Sequence, residues 1–168
     1  MTHDGRNLLR NAMRRLALLA MLAFAALSLE GCSVKRMLHI GPPLSKLKSV
    51  SIGADPEANQ GNATQVDVVI AYSNAAVGML PKTGPEWFQQ RDALRKALAT
   101  DIDVISLEVP SPSAPIRVKL PRRSRNKGLA VVAFANYVAP TGWPVVKISP
   151  YKRARLQLQD VTVTISEQ

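Results

Sequence analysis

The chain is poor in the residue types that carry out chemistry. Among its 168 residues there is one cysteine, Cys32, and there are two histidines, His3 and His39. One cysteine excludes an intrachain disulfide framework. So few thiols and imidazoles also leave no zinc-ligand spacing, no Cys–His pair and no Ser–His–Asp arrangement. A glycine-rich phosphate cradle is missing. Acid is scarce as well: 12 Asp and Glu stand against 22 Lys and Arg, a net charge of +10. The uncharged run from Leu16 to Leu29 falls short of the roughly 20 residues that a membrane-spanning helix needs.

What is present begins at the N-terminus. Arg6, Arg10, Arg14 and Arg15 precede the apolar run, and Leu29-Glu30-Gly31-Cys32 follows it. A basic tip, a short apolar stretch and a small residue before a cut mark a secretory signal peptide, here residues 1–31. A cysteine directly after Gly31 reads as a lipobox, with cleavage after Gly31 and a diacylglycerol on the Cys32 thiol. Leu29 and Gly31 are typical of that motif and Glu30 is not. Two other readings stay open at this point: an uncleaved membrane anchor, or an ordinary signal peptide that happens to end near a cysteine. Each buried methylene contributes about 0.8 kcal/mol, so a diacylglycerol plus an N-acyl chain such as palmitate anchors almost permanently, where one chain would not. The residue after Cys32 is Ser33 rather than the aspartate that commonly retains lipoproteins in the inner membrane. The expectation is therefore a lipid anchor in the outer membrane, with the domain on the periplasmic face. No other cofactor is expected.

The leader takes four of the 22 bases and two of the 12 acids (Asp4 and Glu30), which leaves a net charge of +8. The remaining length suits one domain with a real core. The basic excess attracts anionic surfaces at low salt. For an exported chain these are lipid head groups or acidic protein patches rather than nucleic acid. Residues 32–48 read as a lipidated tether: Lys35, Arg36, Lys46 and Lys48 are spread along it and Gly41-Pro42-Pro43 holds off helix. His39 falls here as a solvated residue.

Residues 49–168 read mainly as strands. Val50–Ile52, Gln65–Tyr72, Asp103–Val109, Ile116–Leu120, Leu129–Tyr137, Val145–Ile148, Arg153–Leu158 and Val161–Ile165 carry alternating or continuous apolar patterns between loops rich in proline, glycine, asparagine and aspartate. Asp67 takes an outer position on its strand, whereas Leu129–Tyr137 is apolar enough to be buried on both faces. The apolar phase slips from even positions (Leu156, Leu158) to odd ones (Val161, Val163, Ile165), which calls for a bulge or tight turn at Gln159-Asp160. One helix stands out over about 84–99. Thr83-Gly84-Pro85-Glu86 is a capping box, Trp87, Leu94 and Leu98 recur on one face with Phe88 beside them, and Arg91, Arg95 and Lys96 lie late. Seven or eight short strands with one inserted helix, covering an edge or end, make a mainly β fold: a transthyretin- or immunoglobulin-like β-sandwich.

No catalytic constellation emerges, so the reading is not an enzyme, with no small-molecule substrate. Asp101 and Asp103 are a carboxylate pair at i, i+2, read as a solvated pair ending the helix. Arg122-Arg123-Ser124-Arg125-Asn126-Lys127 is the densest charge cluster, and Arg122, Arg123, Arg125 and Lys127 are candidates for an acidic partner or lipid phosphates. The competing reading is a solvated hairpin loop that protects a sheet edge.

The order of these features resembles the TssJ-like outer-membrane lipoproteins of bacterial type VI secretion systems, as a divergent member. The matching elements are the lipobox Leu29–Cys32, the strand Val50–Ile52, and the loop Asp55-Pro56-Glu57-Ala58-Asn59-Gln60-Gly61 before a strand that ends in Tyr72. A helical insertion with Trp87-Phe88 and Arg91-Asp92 follows, and then Val131–Tyr137, which ends in an aromatic. The resemblance implies a transthyretin-like sandwich with extra helix. It also implies docking to a TssM-like inner-membrane protein through the loop after the first strand. Asp55, Pro56, Glu57, Asn59, Gly61 and Asn62 are then the candidates for that contact. Other periplasmic lipoproteins, such as a pilotin-like chaperone or an envelope ligand binder, remain the alternative.

Overall fold

The computed structural model describes residues 44–139 and 143–168. The expected leader and its expected cleavage site at Gly31, Cys32, His39 and the part of the expected tether before Leu44 lie outside the described residues. Residues 42–168 form one compact unit that holds the whole described core, from Leu47 to Val163.

Among the described residues, eight strands make two four-stranded sheets. They are β1 (Ser49–Ala54), β2 (Thr64–Ala71), β3 (Ile102–Val109), β4 (Ser113–Val118), β5 (Ala130–Asn136), β6 (Val146–Lys147), β7 (Arg153–Leu158) and β8 (Val163–Glu167). The first sheet has the order β4-β1-β7-β8, with β1 and β7 parallel and the other neighbours antiparallel. The second has the order β3-β2-β5-β6 and is antiparallel throughout. Val50 and Ile52 of β1 and Leu156 and Leu158 of β7 pack against Val66, Val68 and Ile70 of β2 and Val131 and Ala133 of β5. The expected β-sandwich is the observed architecture.

Helices α1 (Asn74–Met79) and α2 (Gly84–Leu98) follow β2. The Thr83 hydroxyl accepts the Glu86 N–H at 3.4 Å, and Glu86 reaches back one residue beyond the usual capping box, to the Lys82 N–H at 3.1 Å. Gly84 is required by close packing: a Cβ there would overlap the carbonyl oxygen of Ala135. The helix does not cover an edge or an end, as its sequence position led us to expect. It lies on the outer face of the second sheet, where Trp87, Leu94 and Leu98 bury against Val69, Val132 and Phe134. That third layer explains why β5 is apolar on both faces. Trp87 stacks on Phe134, with centroids 4.8 Å apart and planes 7° from parallel, an arrangement that contributes roughly 0.5–1.5 kcal/mol beyond area burial.

The same layer changes the place of Asp67. Alternation does put it on the outer face of β2, but α2 covers that face and leaves Asp67 fully buried. Its Oδ2 accepts from Trp87 Nε1 at 2.8 Å and from Arg91 at 3.5 Å. The separation of Trp87 and Arg91 by one helical turn lets both reach one carboxylate.

Three further expectations are corrected. The packed unit takes in Ser45–Lys48, which the sequence reading put in the tether: Leu47 is 3% exposed, and the Ser45, Lys46 and Lys48 N–H groups donate to Gly128, Ser149 and Lys152. The strand read at Ile116–Leu120 begins at Ser113 instead; β4 is an edge strand, where Pro115 is tolerated. The basic segment is not a hairpin loop. It carries the chain from the first sheet to the second and contains a helical turn, α3 (Ser124–Lys127). The phase slip is a tight turn: Gln159 N–H donates to Thr162 O, and Leu158 pairs with Val163 and Leu156 with Ile165. An antiparallel pair that joins even to odd positions keeps both sets on the core face.

Candidate functional site

The segment between β1 and β2 lies at one end of the sandwich and is fastened by three other connections. A 3-10 turn (Ala58–Gly61) contains Asn59 at φ 49° and Gln60 at φ 59°, followed by Gly61 at φ 76°. Asparagine and glycine are the residues that take this left-handed region most readily. Asn59 is 2% exposed. Its Oδ1 accepts the Val138 N–H at 2.7 Å, and its own N–H points to the carbonyls of Gln159 and Asp160. Asp55 accepts from Gln157 at 2.8 Å and Gln159 at 3.4 Å, while the Ser111 hydroxyl lies 2.7 and 2.8 Å from the Asp55 and Pro56 carbonyls. The Tyr137 hydroxyl reaches the Gln159 and Thr162 carbonyls at 3.0 and 2.8 Å, and burial pushes its pKa up to about 12.

The six candidates here therefore divide. Asn59 is buried and Asp55 partly so, and both hold the segment in shape. Pro56, Glu57, Gly61 and Asn62 are exposed and form its surface. Sequence reading missed Val138 and Val161, 58% and 55% exposed, which the same hydrogen bonds bring beside the segment. Val161 was expected inside a strand but lies in the turn before β8. The result is a rigid tip of exposed apolar and acidic groups: Pro56, Val138 and Val161 with Glu57 and Asp160.

The basic candidates gather at the opposite end, and they too divide. Arg123 forms a bidentate pair with Asp103, with Nε to Oδ2 at 2.8 Å, and its guanidinium lies 4.2 Å over the Tyr72 ring. Tyr72 donates to Asp103 at 2.5 Å. The Arg123 hydrogen bond holds the Asp103 carboxyl below the usual range, and burial, then Asp103, push Tyr72 up to about 12. Asp103 is thus part of a three-residue lock rather than a solvated pair with Asp101, which accepts instead from the Ser73 hydroxyl at 2.9 Å. Arg122, Arg125 and Lys127 are exposed and have no ion-pair partner among the described residues.

A cleft of about 380 Å³ between α1 and the β5–β6 side of the second sheet is lined by Val77, Leu80, Val132 and Val145 together with Lys82 and Lys147.

Two four-stranded sheets in this order, a helical layer on one of them and a tip built by the β1–β2 segment can be set against solved structures. The TssJ1 lipoprotein of the Pseudomonas aeruginosa type VI secretion system superposes with a TM-score of 0.50 at 14% identity, over 76% of this chain and 98% of that one. The fold is that of TssJ1. Two other structures are similar: Serratia marcescens Lip, a membrane-bound component of the type VI secretion system, and a chain of a type VI membrane complex. Lip has a TM-score of 0.47 at 11% identity, over 71% of this chain and 96% of Lip. The complex chain has 0.47 at 14%, over 70% of this chain and 95% of that one. No family model matches the sequence, and a search of curated proteins finds no match. At such identities the TssJ1 likeness is one of backbone architecture. The TssJ1-like sandwich here carries its own tip and its own basic end.

Proposed function

We propose that this chain is a non-enzymatic docking lipoprotein of a type VI secretion membrane complex. Cys32 carries the diacylglycerol and N-acyl chain that hold it in the outer membrane, and the domain works in the periplasm. The β1–β2 tip binds the periplasmic domain of a TssM-like partner. The observation that carries this reading is the conjunction of a lipobox at Leu29–Cys32 with a TssJ1-like fold whose β1–β2 segment is rigidly held and exposed. A preformed tip loses little conformational entropy on binding, which favours specific docking.

Two measurements test it. Cys32→Ser should move the protein from membranes to the soluble fraction with its fold unchanged; unchanged fractionation would end the anchor reading. Co-purification with a TssM-like periplasmic domain should fall at least about tenfold when Pro56, Glu57 and Val138 are replaced by Gly, Lys and Asp, the loss expected when a hot-spot cluster is removed. Undiminished capture by that variant would place the contact elsewhere.

A further inference from the structure

We infer that the end of the sandwich where β1 begins is a membrane-facing surface that binds the phosphates of an anionic lipid bilayer. A cleft of about 300 Å³ opens there between β4, the start of β1 and α3. Its walls include Lys48, Arg117, Lys119 and Arg125, with Val118 and Leu120 between them and no carboxylate among the described residues that line it. All four cations are exposed, and none has an ion-pair partner among the described residues. The register extends the basic surface across the first sheet. Ser51 pairs with Arg117 on one side and Arg155 on the other, and Ser49 pairs with Arg153. Because Val50, Val118 and Ala154, which form the row between these two, face the core, the arginines stand on the outer face. They too are exposed.

The described acids form no ion pair with this surface, and the one acid in its strands is Glu167, opposite Ala154. Asp55, Glu57 and Asp160 sit at the far tip. Nearby, Asp103 is held by Arg123 and Tyr72, Asp101 by Ser73, and Glu167 accepts the Lys152 N–H.

A bilayer, rather than a protein, is chosen as occupant because of where the chain enters. The described residues start at Leu44 and run directly into β1 at this end, and the twelve steps of chain from Cys32 to Leu44 span at most about 40 Å. An anchor at Cys32 therefore keeps the point where the chain enters the sandwich within that distance of the lipid, and the basic surface lies beside that point of entry. In this respect the inference rests on the anchored reading. A polybasic surface beside an anionic leaflet gains about fivefold in partitioning for each Lys or Arg, and it would act as a second attachment that also fixes orientation.

The test uses the compact unit 42–168, without lipid, sedimented with phosphatidylglycerol–phosphatidylcholine vesicles or with phosphatidylcholine alone. The unit should bind the anionic vesicles only, and less at high salt. The combined variant Lys48→Gln, Arg117→Gln, Lys119→Gln and Arg125→Gln should lose at least about tenfold. A control of equal net charge, Lys82→Gln, Arg95→Gln, Lys96→Gln and Lys147→Gln, should lose far less. Circular dichroism melts check that both variants are folded. The inference is overturned if the two variants lose equally, if the basic-end variant binds like the parent, if neutral vesicles bind as well, or if random duplex DNA binds more tightly at the same salt. None of these outcomes depends on acylation of Cys32, which mass spectrometry of the native N-terminus tests separately.

Discussion

Replacing Trp87 with Phe should destabilise the domain mainly through one lost N–H. Phenylalanine can keep the stack on Phe134, since that contact needs a ring and not an indole. It cannot donate to Asp67, which is fully buried and takes its 2.8 Å hydrogen bond from Trp87 Nε1. Arg91, a quarter exposed and 3.5 Å away, would remain as the nearest charge. A hydrogen bond to a charged group contributes about 1.5–3 kcal/mol, and stripping one partner from a buried pair costs about 3–5 kcal/mol. With Arg91 still in place and some ring area lost, about 3 kcal/mol is expected. At about 4 °C per kcal/mol, that lowers the melting temperature by roughly 10 °C. Urea unfolding of the compact unit measures it, and a double-mutant cycle assigns it. In an Asp67→Asn background the neutral amide needs its donor less, so the same change should cost about 1 kcal/mol. A cost that is equal in both backgrounds would refute the argument, because it would show that ring packing, not the Asp67 bond, sets the value.

Asn59→Ala removes the acceptor of the Val138 N–H and the side chain best suited to φ 49°; it should cost about 2 kcal/mol in chemical denaturation, whereas Glu57→Ala should cost nothing measurable. Asp103 has a lowered carboxyl pKa in the folded state, so its contribution is present above about pH 4 and is lost as pH falls toward the folded value; melts of Asp103→Asn should show a shallower loss of stability on acidification than the parent, and parallel curves would contradict the lock. Tyr72 and Tyr137 have pKa values raised to about 12, so the stability tied to their neutral forms is complete below pH 10 and declines above it. Ultraviolet titration of the native protein should show two of the three tyrosines ionising near pH 12, and ionisation of all three near pH 10 would exclude their buried hydrogen bonds.

The fold was largely legible because strand alternation, turn residues and one capping box are local signals. Val50–Ile52, Gln65–Tyr72 and Arg153–Leu158 each contain their own periodicity, and Thr83–Glu86 its own cap. The candidate tip was legible as a segment, since Pro56, Asn59 and Gly61 are turn residues. Its division into scaffold and surface was not, because burial of Asn59 depends on Val138, Gln159 and Asp160, roughly 80–100 positions away. The lock at Tyr72 was hidden for the same reason: Asp103 and Arg123 look like solvated charges until two connections bring them together.

The order of apolar and polar residues along the chain was enough to determine a mainly β domain, because strand periodicity is written in neighbouring residues. Only the tertiary structure decided that α2 would roof the second sheet, that Asp67 would be buried under it, and that Glu57 and Asp160 would meet at the tip while Lys48, Arg117, Lys119 and Arg125 gather at the opposite end. Those outcomes depend on which strands become neighbours, and pairing between distant strands is fixed by the packing of the whole core.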